Sequence, residues 1–431
     1  MRPFFYQIVY LADMKIRLLL PVLFSILQLS ATAQTFIDCS NGRYDTEIFS
    51  NVTVTSSVLY GSNTSYTGTV TQLTLDIYQP TGDTAAFRPL IVWAHGGSFV
   101  TGTKQDPDMV ALCNNFAKRG YVCASIDYRL GIPFPPDQAG AKRALYRAVQ
   151  DMKAAVRFFR KDAATANAYR IDPGLVFIGG SSAGAFTALH HAYLDDPSEL
   201  PVEIDTVALG GMEGNSGNPG YSSAVNAVVN LCGALGDKQW IHPNDEPLCS
   251  MHGTTDQTVP YATATIYLFN VYPLMVVDGS YSVNQYADQI GLPNGMYTYF
   301  GAGHVPYLSN AAYMDTTTRF VSNFLYARLG CQPADPNPYP NTFNSSTGVA
   351  PAASVSDVAL FPQPAAGQLF IRSSEKLMSV EMLDMSGRSL INRNVDGAYE
   401  VTVGIESLAS GTYILRLHTE KGVLVRKAVK E

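Results

Sequence analysis

A serine set between small residues is the first feature of the sequence that could do chemistry. Residues 180–184 read Gly-Ser-Ser-Ala-Gly and match the pattern Gly-x-Ser-x-Gly. An apolar run, residues 175–178, precedes the pattern, and residues 183–194 can form a helix. A nucleophile that projects from a sharp strand-to-helix turn needs small neighbours, because the two backbones approach closely there. We therefore predict that Ser182 is a nucleophile, with Ser181 as the alternative in the wrong register.

A serine hydroxyl needs a base, and sites of this kind carry their partners in the order serine, acid, histidine along the chain. His304 follows a predicted strand in Gly-Ala-Gly-His-Val-Pro, and Gly303 frees the loop to turn the ring inward. Asp256 comes just past an apolar strand, in a turn that ends at Pro260, and its carboxylate would orient the imidazole. A surface histidine is the alternative for His304. The competing acids are Asp245, Glu246, Asp278 and Asp288. We expect His252 to be structural.

A glycine-rich segment could stabilise the negative charge of a tetrahedral intermediate. Residues 95–99, His-Gly-Gly-Ser-Phe, follow a continuous apolar run that is typical of a buried strand. The predicted oxyanion donors are the backbone N–H groups of Gly97, Ser98 and Ala183. A plain glycine turn is the alternative. The sequence contains no CxxC or HExxH spacing for zinc, and its glycine loops lack a phosphate cradle or dinucleotide pattern, so neither a metal nor a cofactor is implied.

Strands that alternate with helices must position these residues. Apolar or alternating runs predict strands at 71–78, 90–94, 121–126, 175–178, 225–231, 248–251 and 297–300. Residues 139–161 carry apolar side chains at spacings of three and four, which predicts a helix. This alternation indicates an α/β domain with a mostly parallel central sheet flanked by helices, and the early strands add an antiparallel edge.

Length and composition indicate one large domain and one small one. The chain has 431 residues, of which 46% are apolar and 15% charged, with a net charge of −7. A mildly acidic chain without a basic run has no electrostatic footprint for nucleic acid. We predict a catalytic domain at 34–331, a Pro-, Asn- and Ser-rich linker at 332–356, and a small all-β sandwich at 357–431, where short alternating runs are separated by glycine turns.

The N-terminal residues predict export. Lys15 and Arg17 precede an apolar stretch, residues 18–29, and Ala-Thr-Ala at 31–33 is a cleavage pattern. We expect residues 1–33 to be a signal peptide whose true start is Met14, with a membrane anchor as the alternative. In an exported protein the six cysteines suggest disulfides. We expect Cys232 to pair with Cys249 and Cys39 with Cys331, while buried free thiols remain an alternative.

The segment from 73 to 324 resembles the carboxylesterase and lipase branch of the α/β-hydrolases. The resemblance is carried by residues 95–99, by Asp-Tyr-Arg-Leu-Gly at 127–131, by residues 180–184, and by the segments around Asp256 and His304. It implies the α/β-hydrolase fold, and residues 127–131 would buttress the oxyanion loop. Two departures, an Asp where the cholinesterase-like pattern has Glu and Ser98 where a third glycine is common, affect the substrate subclass.

The tail from 360 to 431 resembles the C-terminal sorting domain of the type IX secretion system of Gram-negative bacteria. The resemblance is carried by Leu-Phe-Pro-Gln-Pro at 360–364, Asp-Met-Ser-Gly-Arg at 384–388, residues 408–413 and the closing residues 426–430. It implies secretion machinery as a partner, and a location outside the cell or at its surface. A carbohydrate-binding sandwich is the alternative.

These observations predict a secreted serine hydrolase that cleaves carboxylic esters through an acyl-enzyme. The substrate could be a feruloyl or acetyl ester of a polysaccharide, a small ester or a polyester, and we expect the loop at 212–223 to shape the pocket. Two alternatives stay open: a serine peptidase of the prolyl-oligopeptidase-like type, and a non-catalytic binding protein on a hydrolase scaffold.

Overall fold

A computed structural model of the chain describes residues 37–331, 343–344, 358–384, 389–419 and 422–431. The predicted signal peptide and nearly all of the predicted linker lie outside the described residues, so these two assignments stay predictions. None of the described helices is both long enough and apolar enough to cross a membrane.

The first part of the chain alternates strands and helices, as its sequence predicts. The strands are β1 (Val52–Thr64), β2 (Val70–Pro80), β3 (Arg88–Ala94), β4 (Val122–Ile126), β5 (Ile171–Ser181), β6 (Ala227–Leu231), β7 (Ala234–Leu235), β8 (Leu248–Gly253), β9 (Ala264–Leu268), β10 (Tyr272–Gly279), β11 (Asn294–Tyr299) and β12 (Phe343–Asn344). The helices are α1 (Pro107–Lys118), α2 (Gln138–Ala164), α3 (Ala183–Tyr193), α4 (Thr206–Leu209), α5 (Ser280–Ile290) and α6 (Ala311–Arg328).

The central sheet has the strand order β1-β2-β4-β3-β5-β6-β8-β11-β12. Strands β4, β3, β5, β6, β8 and β11 run parallel to one another, and β12 is antiparallel to β11. Strands β1 and β2 form an antiparallel edge, and β2 is antiparallel to β4. Strands β7, β10 and β9 form a separate small sheet. The predicted mostly parallel sheet with an early antiparallel edge is confirmed.

Both faces of the sheet are covered, which is why its central strands are apolar on both sides. On β3, Leu90 and Val92 belong to one apolar core, and Ile91 and Trp93 belong to the other. Helices α2 and α3 supply side chains to the first core, and α1 and α6 supply side chains to the second. The predicted apolar stripe of α2 is buried at Val149, Met152, Val156 and Phe159.

The C-terminal part of the chain forms an antiparallel sheet of its own. Its strands are β13 (Val358–Phe361), β14 (Gln368–Leu383), β15 (Ser389–Gly404), β16 (Gly411–Thr419) and β17 (Gly422–Lys430). The long strand β14 pairs with β13, β15 and β16, and β16 pairs with β17. Along β16, Tyr413, Leu415 and Leu417 are buried and alternate with residues that are less buried. This alternation confirms the predicted all-β class and its core-facing residues.

The cysteines correct one prediction and confirm another. Cys39 and Cys331 form the expected disulfide, across 292 residues of sequence. Cys232 and Cys249 are both free and buried, so their predicted pairing is wrong. Both thiols lie in the apolar core, where a free cysteine packs as a small apolar side chain. Cys113 and Cys123 are free and buried in the same way.

Loss of the disulfide should destabilise the catalytic domain without adding a cavity to its core. We expect Cys39→Ser and Cys331→Ser to lower the free energy of unfolding by about 2–5 kcal/mol, because the unfolded chain gains freedom when the cross-link is lost. Thermal melting measures the effect. The double variant is the control, and its melting temperature should be no lower than that of either single variant. Titration of the unfolded, unreduced protein should find four thiols. Finding two would restore the pairing of Cys232 with Cys249.

Candidate active site

Ser182 lies in the turn between β5 and α3, with a strained backbone. Its φ is 53° and its ψ is −117°, in a region that side-chain-bearing residues rarely adopt. The flanking glycines make the turn possible: a Cβ at Gly184 would collide with the carbonyl of Ala94, and one at Gly180 would collide with Gly184. The Ser182 N–H donates to the carbonyl of Leu231 at 2.9 Å, which ties the turn to the end of β6.

The structure brings the three residues predicted to form a triad into one chain of hydrogen bonds. The Ser182 hydroxyl lies 2.8 Å from Nε2 of His304, and Nδ1 of His304 lies 2.6 Å from Oδ2 of Asp256. With Nδ1–H donated to the carboxylate, Nε2 is the acceptor for the serine proton. Ser182 and Asp256 are buried and His304 is partly buried. The arrangement can therefore deprotonate the serine in a site that largely excludes water.

Asp256 is held as an anion by four donors. Its Oδ1 accepts the backbone N–H groups of Thr258 and Val259 at 2.8 and 2.9 Å. Its Oδ2 accepts from His304 and also from Nε2 of His252, at 3.1 Å. Burial raises the pKa of the carboxyl, but the hydrogen bonds from both histidines lower it by more than burial raises it. The pKa therefore lies well below its ordinary value. The acid is consequently charged throughout the neutral range.

His252 is the residue whose part in the site the sequence did not reveal. It is buried at the end of β8, and its Nδ1 lies 2.7 Å from the Ser280 hydroxyl. Ser280 in turn accepts a hydrogen bond from the Asn230 side chain at 2.9 Å. The position at a strand end agrees with the expected structural role, and the ring in addition hydrogen-bonds the carboxylate of Asp256. The spacing of His252 four residues before Asp256, across a strand-end turn, was the available clue.

The glycine-rich segment 95–99 forms a tight loop against the nucleophile. Gly97, Ser98 and Phe99 have φ values of 103°, 55° and 61°. A Cβ built at Gly96 would lie 3.4 Å from the Cβ of Ser182, which shows how closely the loop approaches. Among the described residues we find no acceptor for the N–H groups of Gly97, Ser98 and Ala183. These groups are available to an incoming oxyanion.

Residues 127–131 support that loop, as the resemblance implied. The Tyr128 hydroxyl donates to the carbonyl of His95 at 2.8 Å, and the two rings stack with centroids 4.3 Å apart. The Gly131 N–H donates to the carbonyl of Phe99 at 2.7 Å. Asp127 is paired with Lys104 at 2.8 Å. The loop is therefore fixed from one side before any substrate arrives.

Ser182 opens onto an apolar cavity of about 70 Å³, here called the catalytic cavity. Its lining includes Ser98, Ala183 and Phe186 beside the nucleophile, and side chains of β9 and β10 opposite. None of residues 212–223 lines it, so the prediction that this loop shapes the pocket is wrong. Instead the loop packs on α2 through charged contacts: Glu213 pairs with Arg157 at 2.8 Å, and Ser216 donates to Asp151.

The alternatives for the triad lie in other environments. The Ser181 hydroxyl is buried against Tyr307, 2.7 Å from its hydroxyl, and is not at the turn. The competing acids bind other groups: Asp278 bonds Lys238, Asp288 accepts from Asn294, and Asp245 accepts from the backbone of His242.

One group of potential metal ligands within the described chain includes two triad residues, and its third member is Cys232. Its Sγ, the Asp256 carboxylate and the His304 ring place ligand atoms within 4.8 Å of one another. Burial raises the pKa of the thiol to about 12, which keeps it protonated. The aspartate and histidine are already bonded to each other, so the triad accounts for this cluster.

Comparison with known families agrees with this architecture. Residues 75–236 match the BD-FAE family model, and residues 359–431 match the model described as the secretion system C-terminal sorting domain. The chain carries an α/β-hydrolase domain and a C-terminal sorting domain. The first match begins within β2 and contains both the loop at 95–99 and the turn at Ser182.

Curated relatives match only part of the chain. It is 40% identical to mouse Carboxylesterase 3B over 114 residues, which are 26% of this chain and 19% of that protein. It is 29% identical to Secreted lipase 5 of Gibberella zeae over 175 residues, 38% of this chain and 30% of that protein. The aligned parts thus span less than a third of either relative. Among solved structures, Thermogutta terrifontis esterase 2 phosphorylated by paraoxon has a TM-score of 0.46 and 22% identity, over 65% of this chain and 96% of that one.

Removal of the His252 donor should slow catalysis more than it disturbs the fold. We expect His252→Phe to lower kcat roughly 10- to 150-fold with little change in KM, because a hydrogen bond to a charged group contributes about 1.5–3 kcal/mol. His252→Gln keeps a donor near the same position and should recover part of the loss. Ester hydrolysis and thermal melting are measured on both variants. If kcat falls equally in both variants, or falls only in proportion to the loss in melting temperature, then His252 contributes packing alone.

Proposed function

We propose that the protein is a secreted carboxylic ester hydrolase that works through an acyl-enzyme intermediate, with Ser182 as nucleophile, His304 as base and Asp256 as acid. The observation that carries the proposal is the continuous hydrogen-bonded chain from the Ser182 hydroxyl through His304 to Asp256. The match to the BD-FAE family and the partial likeness to a carboxylesterase and a lipase support the same class of reaction.

In the first half of the reaction, Ser182 Oγ attacks the ester carbonyl while His304 Nε2 takes the hydroxyl proton. The carbonyl oxygen becomes an oxyanion, which the N–H groups of Ser98 and Ala183, with Gly97, are placed to receive. Asp256 stabilises the imidazolium that forms and does not itself take the proton. Because the acid is already anionic and held by four donors, the site needs no reorganisation as this charge develops.

In the second half, His304 gives its proton to the leaving alcohol oxygen as the bond from carbon to that oxygen breaks. The acyl group is then bonded to Ser182 Oγ. Water enters from the side that the alcohol has left, His304 accepts its proton, and the hydroxide attacks the acyl carbon. Collapse of the second tetrahedral intermediate returns the proton to Ser182 and releases the carboxylic acid.

The substrate is proposed to be an ester met outside the cell. Feruloyl or acetyl esters of polysaccharides, small esters and polyesters all present the carbonyl that this site attacks. The sorting domain supports export by a type IX system, either into the medium or to the cell surface. The relative named as a secreted lipase is consistent with an extracellular ester.

Loss of the nucleophile should abolish hydrolysis without unfolding the domain. We expect Ser182→Ala to lower kcat on p-nitrophenyl acetate and butyrate by roughly 10⁴- to 10⁶-fold, because the covalent step is lost. Hydrolysis is followed by the absorbance of the released nitrophenolate, and methyl ferulate is tested alongside.

Ser181→Ala is the matched control for that experiment. It removes a neighbouring hydroxyl that bonds Tyr307, so its rate should fall by no more than about tenfold, the cost of one neutral hydrogen bond. A fluorophosphonate should label the wild type and Ser181→Ala but not Ser182→Ala. A folded wild type that cleaves a peptide panel and none of the esters would contradict the proposed reaction class.

A further inference from the structure

A second cavity lies directly behind the catalytic cavity. Its volume is about 530 Å³, and it is bounded by α2, by the end of α3 and by the segment around Trp240. Leu145, His190, Gly236 and Met275 line both cavities. The two cavities therefore adjoin and share a wall formed by these residues.

The sizes of the two cavities suggest that they serve one ligand. Sites for small molecules are usually about 300–1,000 Å³. The catalytic cavity, at about 70 Å³, accommodates only a short group beside Ser182. The second cavity, at about 530 Å³, lies within the usual range but contains none of the triad. A substrate that extends through both would place its carbonyl at Ser182 and its bulk in the larger space.

The wall between the cavities is neutral and formed by aromatic and aliphatic side chains. Both nitrogens of His190 are bonded: Nδ1 donates to the carbonyl of Phe186 at 2.8 Å, and Nε2 accepts the Gly236 N–H at 3.2 Å. Burial lowers the pKa of His190 to about 4, so the ring is uncharged at neutral pH. The ring stacks on Phe186 and meets Trp240 edge-on, with centroids 6.2 and 5.6 Å away. An apolar chain can cross this wall without meeting a charge.

The second cavity continues this apolar character. Val149, Leu194 and Ile204 contribute aliphatic surface, and the Trp240 ring forms part of its wall. The ammonium of Lys142, which also lines the cavity, is paired with Glu203 at 3.0 Å. Glu199 and Asp237 line the cavity as well, so an apolar face formed by the aliphatic residues and Trp240 lies beside an acidic one, and the apolar face is the part that suits a hydrocarbon chain.

The position of His304 decides which half of the ester enters. His304 must hand its proton to the leaving alcohol, so the alcohol lies on the histidine's side of Ser182. His304 is not among the residues that line the catalytic cavity, whereas Ser98 and Ala183 of the oxyanion site are. We assign this cavity to the acyl group because the proposed oxyanion donors, which would bind the acyl carbonyl oxygen, line it; Thr258 and Val259, next to Asp256, line it too.

We propose that the second cavity binds the distal part of a medium- to long-chain acyl group, reached past Leu145, His190 and Met275. This inference rests on the proposed ester hydrolysis and specifies its substrate class. Leu145 on α2 and Met275 on β10 are both only partly buried, and they are the flexible side chains that set the width of the passage.

Blocking the passage should shorten the preferred acyl chain. Met275→Tyr and Leu145→Tyr are compared with wild type on p-nitrophenyl acetate, butyrate, octanoate and decanoate. We expect kcat/KM of the wild type to rise from acetate to octanoate. In each variant the ratio of kcat/KM on octanoate or decanoate to that on acetate should fall about 10- to 200-fold, the discrimination that a hydrophobic pocket gives. Val271→Tyr, on an exposed residue between β9 and β10, is the matched control and should keep the wild-type profile.

A binding measurement tests the cavity without catalysis. Trp240 lines the second cavity, and the other tryptophan of the chain, Trp93, is buried in β3. Titration of the Ser182→Ala variant with octanoate should change the tryptophan emission. The change should disappear with Trp240→Phe and weaken with Met275→Tyr, while thermal melting confirms that each variant is folded.

The outcomes separate the two proposals. Suppose that the enzyme cleaves acetate, that neither Tyr variant changes its octanoate rate, and that octanoate does not change the Trp240 emission. This result overturns the second cavity as an acyl site and leaves the proposed ester hydrolysis intact. A folded wild type that cleaves no ester overturns the proposed function. In that case a Trp240 response to octanoate would retain the cavity as a fatty-acyl binding site only.

Discussion

The close approach of α3 to the end of β3 is the constraint on which the rest of the site depends. Gly184 lies against the carbonyl of Ala94, and no residue with a side chain fits there. This contact places the first turn of the helix beside the oxyanion loop, which continues directly from β3. Ser182, the helix that follows it and the loop at 95–99 are thus positioned by one packing contact between backbones, and Ser182 adopts its strained φ because both neighbours are fixed.

Parallel pairing brings the remaining groups to the same place. Strands β3, β5, β8 and β11 all end at one edge of the sheet, so the loops that follow them meet there. Those loops carry the oxyanion segment, Ser182, Asp256 and His304. Residues far apart in sequence become neighbours because each directly follows a buried strand, and the sheet fixes the spacing between the strands.

Much of this could be predicted from the sequence because the relevant information is local. The apolar runs predicted the strands of the central sheet, and the strand-turn-helix context of Ser182 predicted its conformation. Asp256 and His304 could be placed because each follows a strand in the expected order. The pairing of Cys39 with Cys331 was expected, while that of Cys232 with Cys249 was wrong, because spacing cannot tell a buried thiol from a bonded one. The contact of His252 with Asp256 spans only four residues, and its spacing was a clue that did not by itself reveal the hydrogen bond. The position of the loop at 212–223 depends instead on side-chain packing between distant segments, which no local pattern encodes.

The disulfide between Cys39 and Cys331 also makes the stability of the fold depend on the redox conditions around it. It closes the hydrolase domain into a ring, and the sorting domain follows outside that ring. A cut anywhere in the segment after Cys331 therefore leaves the covalent closure untouched. Disulfides persist in oxidising compartments and are reduced in the cytoplasm, so the covalent closure is present only where conditions are oxidising. The cross-link therefore distinguishes a molecule that has folded under oxidising conditions from one that has not.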